Sequence, residues 1–159
     1  AMRHDFSLRI LRPCAVFGPL ADPQRFRRWS LIPFAFPKAI AEAGAIRISG
    51  TGRDRRNFVG SDVVAMLAVD FVAGEASGVS VLNPIGIADM SVADFAELCA
   101  RIGREQLNRN CRVEIAGAGP DSGAPLEYRS VAGGARDGQT LESHVAAMIR
   151  QCAQVGANA

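Results

Sequence analysis

The sequence is poor in the residues that enzymes most often use for acid–base chemistry. Among its 159 residues, Lys38 is the only lysine and Tyr128 the only tyrosine. The two histidines, His4 and His144, lie far apart, and neither has the serine, cysteine or carboxylate pattern of a catalytic triad around it. This scarcity argues against a histidine-based nucleophilic mechanism.

Metal-binding patterns are also missing. The four cysteines are widely separated, form no C-x-x-C pair and have no histidine at ligand spacing. We therefore expect no metal site and interpret the cysteines as buried, reduced thiols. They are Cys14, Cys99, Cys111 and Cys152.

The chain has no long apolar run. The longest, VVAMLAVDFVAG, is interrupted by Asp70 and is shorter than the roughly 20 residues that a membrane span needs. The N-terminal AMRHDF lacks the apolar core of a secretion signal. We expect a cytoplasmic protein without membrane contact. Ala1 before Met2 is typical of a vector remnant, so we expect Met2 to be the natural start.

Positive charge is concentrated in arginine. The net charge is only +2, but arginines cluster at 25–28 (RFRR) and at 53–56 (RDRR). Guanidinium groups suit bidentate binding of phosphate. A nucleic-acid surface would need a larger positive charge or a basic helical stripe, so we expect no nucleic-acid partner. The simpler interpretation is that most of these arginines are solvated surface residues.

Strand and helix patterns alternate along the chain. Its length, 48% hydrophobic content and 21% charged content are typical of one globular domain, taken as residues 1–159. The pattern predicts an α/β fold with several short strands and three or four helices. Predicted strands are Leu8–Leu11, AIRIS, RNFV, GVSVLN and CRVEIAG. Predicted helices are SLIPFAFPKAIAEAG, SDVVAMLAVDFVA, SVADFAELCARIG and TLESHVAAMIRQCAQV.

The second and third predicted helices have signals for where they begin or end. Ser61 or Asp62 is expected to cap the second helix, and Ser91 with Asp94 three residues later approaches a capping box. Gly103 is expected to end the third helix. The second helix is predicted to bury Val63, Met66, Leu67 and residues 69–71, and the last helix Leu141, Val145, Met148, Ile149 and Cys152.

A glycine-rich stretch follows the last predicted strand. Gly117, Gly119 and Gly123 imitate a dinucleotide-binding fingerprint. That fingerprint needs a helix whose N-terminal amides hold a pyrophosphate, whereas the residues that follow here have no helical period. We interpret the stretch as a surface loop.

Three segments, in order and at suitable distances, carry a family resemblance. They are LRPCAVFGP, IRISGTGRDRRNFVGSDVVAML and VSVLNPIGIADMSVADFAELCARIG. Together they resemble the C-terminal half of the extended short-chain dehydrogenase/reductase family, the nucleotide-sugar epimerases and dehydratases, with patterns lRpfNvyGP, i.i.GdG.q.RDFvyVdDva.a and yNvg.g...sv.ela..i. The closing LEYRSVAGGARDGQTLESHVAAMI is similar to the family's last segment. The resemblance covers nearly the whole chain.

The resemblance implies substrate-side residues. Arg56 matches the arginine that grips the diphosphate of a nucleotide-sugar, and Asn83 matches another ligand-side position. Ile48 and Ser49 match residues that lie along the nucleotide base. The alternatives are a structural role for Arg56 within an ion-pair network and a strand-end turn for Asn83.

Other positions match the family less closely. Pro13 and Cys14 match residues that face the nicotinamide end of the cofactor, a role that requires a Rossmann half. Ala15 replaces a substrate-contacting asparagine, and Asn57 replaces the acidic residue of RDF. The family's vyVdD run has become residues 60–63, Gly-Ser-Asp-Val. These changes depart from the family's substrate geometry.

The family's hydride-transfer machinery is absent. That machinery uses a tyrosine as the acid/base group and a lysine four residues later that lowers the tyrosine pKa. Tyr128 is followed at that spacing by Ala132, and Lys38 lies far upstream. The resemblance therefore implies NAD(P) for the parent family, but no cofactor and no catalysis for the isolated chain.

Strands that the family inserts into a Rossmann sheet are expected to lack neighbours. Leu8–Leu11 and Val79–Leu82 would then expose apolar faces and open edges. Burying several hundred Å² at about 25 cal/mol per Å² would stabilise a complex by several kcal/mol. We expect a homodimer or pairing with a separate Rossmann half.

Three hypotheses follow for function. The chain is the substrate-side portion of an epimerase or dehydratase, a stand-alone module that binds a nucleotide-sugar or nucleoside diphosphate, or a structural protein that self-associates and keeps a vestigial site.

Overall fold

The computed structural model describes residues 6–74, 78–117, 128 and 138–157. This part of the chain forms seven short strands and four helices. In chain order they are β1 (Leu8–Leu11), β2 (Ala15–Phe17), α1 (Ile32–Ala43), β3 (Ala45–Ile48), β4 (Arg55–Gly60), α2 (Ser61–Ala73), β5 (Val79–Leu82), β6 (Ala88–Ser91), α3 (Val92–Leu107), β7 (Arg112–Ile115) and α4 (Leu141–Ala157). The predicted α/β class is confirmed.

The strands form three small sheets. β1 pairs in parallel with β5, from Leu8 opposite Val79 to Leu11 opposite Leu82. β3 pairs in parallel with β7. The third sheet has the order β2-β4-β6, in which β2 and β4 are parallel and β4 and β6 are antiparallel. All five predicted strands occur, whereas β2 and β6 were not predicted.

The core lies where α1, α3 and α4 pack on one another and on the β2-β4-β6 sheet. Phe58 of the central strand contacts Phe95 of α3, with ring centroids 4.6 Å apart. The predicted apolar face of α4 is confirmed, since Val145 and Ile149 are fully buried. All four cysteines are free thiols. Cys99, Cys111 and Cys152 are buried, as expected, whereas Cys14 is only partly buried.

Pro37 explains an unusual contact in this core. The residue lies inside α1. Because proline has no backbone N–H, the carbonyl of Pro33 lacks its usual partner four residues later. His144 of α4 fills this place: its Nε2 lies 3.0 Å from the Pro33 oxygen. A carbonyl only accepts, so Nε2 carries the proton and donates it.

The start of α3 agrees with the prediction from the sequence, but its end does not. Ser91 and Asp94 form the expected capping box. The predicted end at Gly103 is wrong, because α3 continues to Leu107 and closes at Asn108, which adopts a left-handed conformation with φ of 48°. Gly103 instead allows close packing, since an added Cβ would lie 2.3 Å from Cγ2 of Ile40.

Two expectations for α2 are wrong. The cap position is Gly60, and no side chain caps the helix. Asp62 instead accepts from the backbone N–H groups of Val63, at 2.9 Å, and Gln139, at 2.7 Å. Only Val63 and Leu67 are buried. The remaining predicted core positions are not buried, because few elements in the described part of the chain pack against this helix.

Candidate functional site

The first group of predicted site residues lies at the carboxyl ends of β1 and β5. The backbone N–H of Arg12 donates to the carbonyl of Leu82 at 2.8 Å. This bond holds the carboxyl ends of the two strands side by side. Pro13 and Cys14 follow one strand and Asn83 follows the other, and all three are partly exposed. The structure therefore brings the expected cofactor-side residues and Asn83 to the same edge of this strand pair.

Cys14 is not an activated nucleophile. Burial raises the pKa of its thiol, and the negative charge of Asp89 raises it further. Because the thiolate is the reactive form of cysteine, both effects keep this group in the unreactive thiol form. Asp89 also forms an ion pair with Arg55 at 2.7 Å.

Ile48 and Ser49 lie elsewhere, at the carboxyl end of the β3-β7 pair. Ile48 is buried and Ser49 is exposed. The chain after β7 approaches this position closely: a Cβ on Gly117 would lie 2.6 Å from the carbonyl carbon of Gly50. The glycine-rich stretch thus begins with a backbone contact between two turns. Gly119 and Gly123 lie outside the described residues.

Arg56 and Ala15 share one face of the β2-β4-β6 sheet. Ala15 is opposite Phe58 and Arg56 is opposite Met90, and side chains alternate along β4. The Arg56 guanidinium donates to the carbonyl of Arg55 at 2.8 Å and lies 3.9 Å from the carboxylate of Asp54. Its side chain is 42% exposed, so part of the guanidinium remains open to an anion.

Asn57 has a structural role that sequence reasoning missed. It is 3% exposed and faces away from Arg56. Its Nδ2 donates to the carbonyl of Gly86 at 2.9 Å, and its Oδ1 accepts from the N–H of Gly86 at 2.8 Å. This reciprocal pair fixes the segment that follows Asn83. An aspartate at this position could accept but, when ionised, could not donate.

A cavity of about 540 Å³ lies between the β2-β4-β6 sheet and the starts of α2, α3 and α4. None of its described lining residues is a predicted site residue. Its walls are largely apolar and include Phe17, Phe58 and Met90, while Asp94 and Glu142 contribute carboxylates. Apolar walls with carboxylates disfavour a diphosphate, so this cavity does not suit the phosphates of a nucleotide.

Tyr128 and Lys38, the only tyrosine and lysine of the chain, make separate contacts. The hydroxyl of Tyr128 donates to the carbonyl of Arg55 at 3.1 Å. Lys38 lies on α1 and is paired with Glu42 at 2.7 Å. The tyrosine and lysine are therefore separately engaged in local contacts. Ala132, four residues after the tyrosine, lies outside the described residues.

Within the described ranges, no three histidine, cysteine, aspartate or glutamate side chains come together in a way that could hold a metal ion. The helices of this part of the chain are too short or too polar to cross a bilayer.

Comparison with known proteins gives matches among solved structures. No protein-family model and no curated protein matches the sequence. A UDP-N-acetylglucosamine 4-epimerase from Methanobrevibacter ruminantium M1, in complex with UDP-N-acetylmuramic acid, shares 18% identity with a TM-score of 0.67, over 96% of this chain and 47% of that protein. RMD from Pseudomonas aeruginosa, complexed with NADPH, shares 14% identity with a TM-score of 0.68, over 92% of this chain and 48% of that protein.

A third structure agrees with these two. UDP-glucuronic acid 4-epimerase from Bacillus cereus, in complex with UDP-glucuronic acid and NAD, shares 16% identity with a TM-score of 0.61, over 92% of this chain and 45% of that protein. The chain has the fold of half of an NAD-dependent epimerase of the extended short-chain dehydrogenase/reductase type. It spans about half the length of the structures that it matches.

The structure keeps the predicted site residues in three separate places. Pro13, Cys14 and Asn83 meet at the end of one strand pair, Ile48 and Ser49 at the end of another, and Arg56 with Ala15 on the face of the third sheet. The large cavity and the Asn57–Gly86 pair were not anticipated. The donor and acceptor capacity of the Asn57 amide was the only sequence signal for that pair.

Proposed function

We propose that this chain supplies the nucleotide-sugar side of an NAD-dependent epimerase or dehydratase. NAD and the groups that transfer hydride would come from a dinucleotide-binding half, whether joined to this chain or separate from it. The observation that carries the proposal is an open apolar face on the β1-β5 pair. Its members are Leu8, Ile10, Val79 and Val81, which are 40 to 66% exposed.

The two faces of this strand pair differ. Helix α2 lies on one of them, where the Arg9 guanidinium is 4.8 Å from the ring centroid of Phe71. The opposite face has no helix over it in the described part of the chain. Parallel sheets normally have both faces covered. A dinucleotide-binding half would supply both the missing helices and further parallel strands.

The nucleotide-sugar would contact the three groups described above. Arg56 would bind the diphosphate through its open guanidinium edge, and Ile48 with Ser49 would flank the base. Asn83 would face the sugar side, held by the Asn57–Gly86 pair. Pro13 and Cys14 would meet the nicotinamide end of the cofactor once the other half is present. The free thiols are consistent with a cytoplasmic location.

Calorimetric titration with UDP and UDP-glucose tests the nucleotide site. We expect Arg56→Ala to weaken binding by about tenfold or more, since a charge-assisted hydrogen bond is worth about 1.5–3 kcal/mol. Arg101→Ala is the matched control, because Arg101 is an exposed arginine paired only with carboxylates on α3 and α4. Equal binding by both variants, or no heat with the parent protein, would contradict the proposal. Titration with NADH should give no heat.

The same apolar face also favours a second candidate function, that of a self-associating structural protein. Light scattering of the purified chain distinguishes the two. A concentration-dependent dimer that Ile10→Glu dissociates, and that Val155→Glu on α4 leaves intact, would support self-association. Val155 is a suitable control because it is an exposed apolar residue, 50% accessible, on another element. A monomer that binds UDP would support the first function.

A further inference from the structure

The loop between β2 and α1 is a well-anchored platform. The carboxylate of Asp22 accepts from the backbone N–H groups of Gln24, at 3.0 Å, and Arg25, at 3.3 Å. Phe26 packs edge-on against Trp29, with centroids 5.1 Å apart, and against Phe34 of α1 at 4.7 Å. The loop is therefore fixed to the core through its aromatic side chains.

Three arginines project from this platform. Arg25, Arg27 and Arg28 are all exposed. Within the described part of the chain, none of their guanidinium groups has an ion pair or side-chain hydrogen bond. By contrast, surface arginines elsewhere in the chain, such as Arg47 and Arg101, pair with glutamates. Three unpaired guanidinium groups on a fixed loop form a surface that is complementary to carboxylates.

A groove of about 270 Å³ is lined in part by the same loop, through Pro23, Gln24 and Trp29. Trp29 and Lys38 form one wall, and Cys152 and Val155 of α4 form another. The Lys38 ammonium lies 5.7 Å from the Trp29 ring centroid and also pairs with Glu42. The groove thus combines an apolar interior with a polar rim, at a size that suits one large apolar side chain.

We propose that this groove and its arginines form a docking surface for an acidic polypeptide segment. An apolar side chain of that segment would enter the groove beside Trp29, and flanking glutamates or aspartates would meet Arg25, Arg27 and Arg28. Single-stranded nucleic acid fits less well. Bases of single-stranded nucleic acid stack on exposed aromatic side chains of the protein. The face of Trp29 is not open for stacking, because the Lys38 ammonium lies over it.

This surface is independent of the proposed nucleotide function. The groove shares no lining residue with the predicted nucleotide or cofactor positions. The surface would serve to recruit the protein to an acidic partner.

Trp29 makes the proposal directly measurable. It is the only tryptophan in the chain, so intrinsic tryptophan fluorescence reports on this groove alone. The probe is a synthetic peptide of glutamates with a central leucine pair. We expect a saturable change in Trp29 emission, and affinity should fall by about tenfold between low and physiological ionic strength because the contacts are between exposed charges.

Variants separate specific docking from general charge attraction. The double variant Arg27→Ala/Arg28→Ala should lose about tenfold or more in affinity, whereas Arg47→Ala/Arg101→Ala, with the same change in net charge, should bind as the parent does. Circular dichroism confirms that each variant is folded. Equal loss in both pairs, no emission change, or tighter binding of an oligothymidine would each overturn the proposal. Unchanged UDP binding in the Arg27/Arg28 variant would show that the two sites are separate.

Discussion

The substitution Asn57→Asp tests whether the hydrogen bonds between Asn57 and Gly86 stabilise the fold. The family pattern has aspartate at this position, so the resemblance alone would predict a neutral or stabilising change. The structure predicts the opposite. Asn57 is 3% exposed and bonds both the N–H and the carbonyl of Gly86. A carboxylate would keep the bond from the N–H but would place a negative oxygen against the carbonyl.

The size of the effect follows from the lost bond. A buried carbonyl left without a donor costs about 1–3 kcal/mol, and the buried charge adds to this. We expect the free energy of unfolding to fall by about 2–4 kcal/mol at pH 7. For a chain of this length that lowers the melting temperature by about 5–15 °C. Urea unfolding followed by circular dichroism at 222 nm measures the change.

The pH dependence provides an internal check. Burial and the facing carbonyl raise the pKa of the introduced carboxyl above its unfolded value of about 3.9. A raised folded-state pKa means that the penalty is present at high pH and shrinks as the pH falls through it, because the protonated carboxyl can donate to Gly86. Asn83→Asp, at a partly exposed position, is the control. An Asn57→Asp variant as stable as this control at pH 7 would refute the reasoning.

Two further predictions concern the core. Gly86→Ala should destabilise the fold by about 1–3 kcal/mol or more, since its Cβ would lie 2.0 Å from the carbonyl oxygen of Phe58; a thermal scan checks this. Burial lowers the pKa of His144 below 6.5, against a smaller opposing effect of its bond to Pro33. Stability should therefore be full above pH 6.5 and fall as the pH drops below it. The urea midpoint of the parent should be lower at pH 5.5 than at pH 7.5, and the difference should be much smaller for His144→Gln. An equal difference in the two proteins would contradict the assignment to His144.

Much of the fold could be predicted from periodicity. The apolar patterns of the four helices and five of the strands predicted where these elements lie, although α2 buries only Val63 and Leu67. Ser91 with Asp94 signals the start of α3 directly. The ordered segments also predicted the correct fold class. β2 was missed because it has only three residues, and β6, with the sequence ADMS, because alanine and aspartate are uncommon in strands. Such short segments form strands through pairing with β4, a tertiary effect that a local pattern does not contain.

The candidate site was less predictable. Matching Arg56 to a motif says which strand carries it, but the sheet register decides which neighbours it has. The end of α3 shows the same limit: Gly103 is typical of a helix terminus, yet contact with Ile40 makes it an interior residue. The role of Asn57 depends on Gly86, 29 positions away. Contacts at such separations are invisible to reasoning from local spacing.

Amide hydrogen exchange in β1 would show whether a partner strand has paired with the β1-β5 sheet. The amides of Leu8 and Arg12 donate to the carbonyls of Gly78, just before β5, and Leu82. By strand alternation, the amides of Arg9 and Leu11 therefore point outward along the open edge of β1. In amide hydrogen exchange these two should lose their protons rapidly in the isolated chain. A strand added at this edge would slow them while leaving their neighbours nearly unchanged. The amides of Arg9 and Leu11 could therefore reveal when a partner strand has been added, and along which edge.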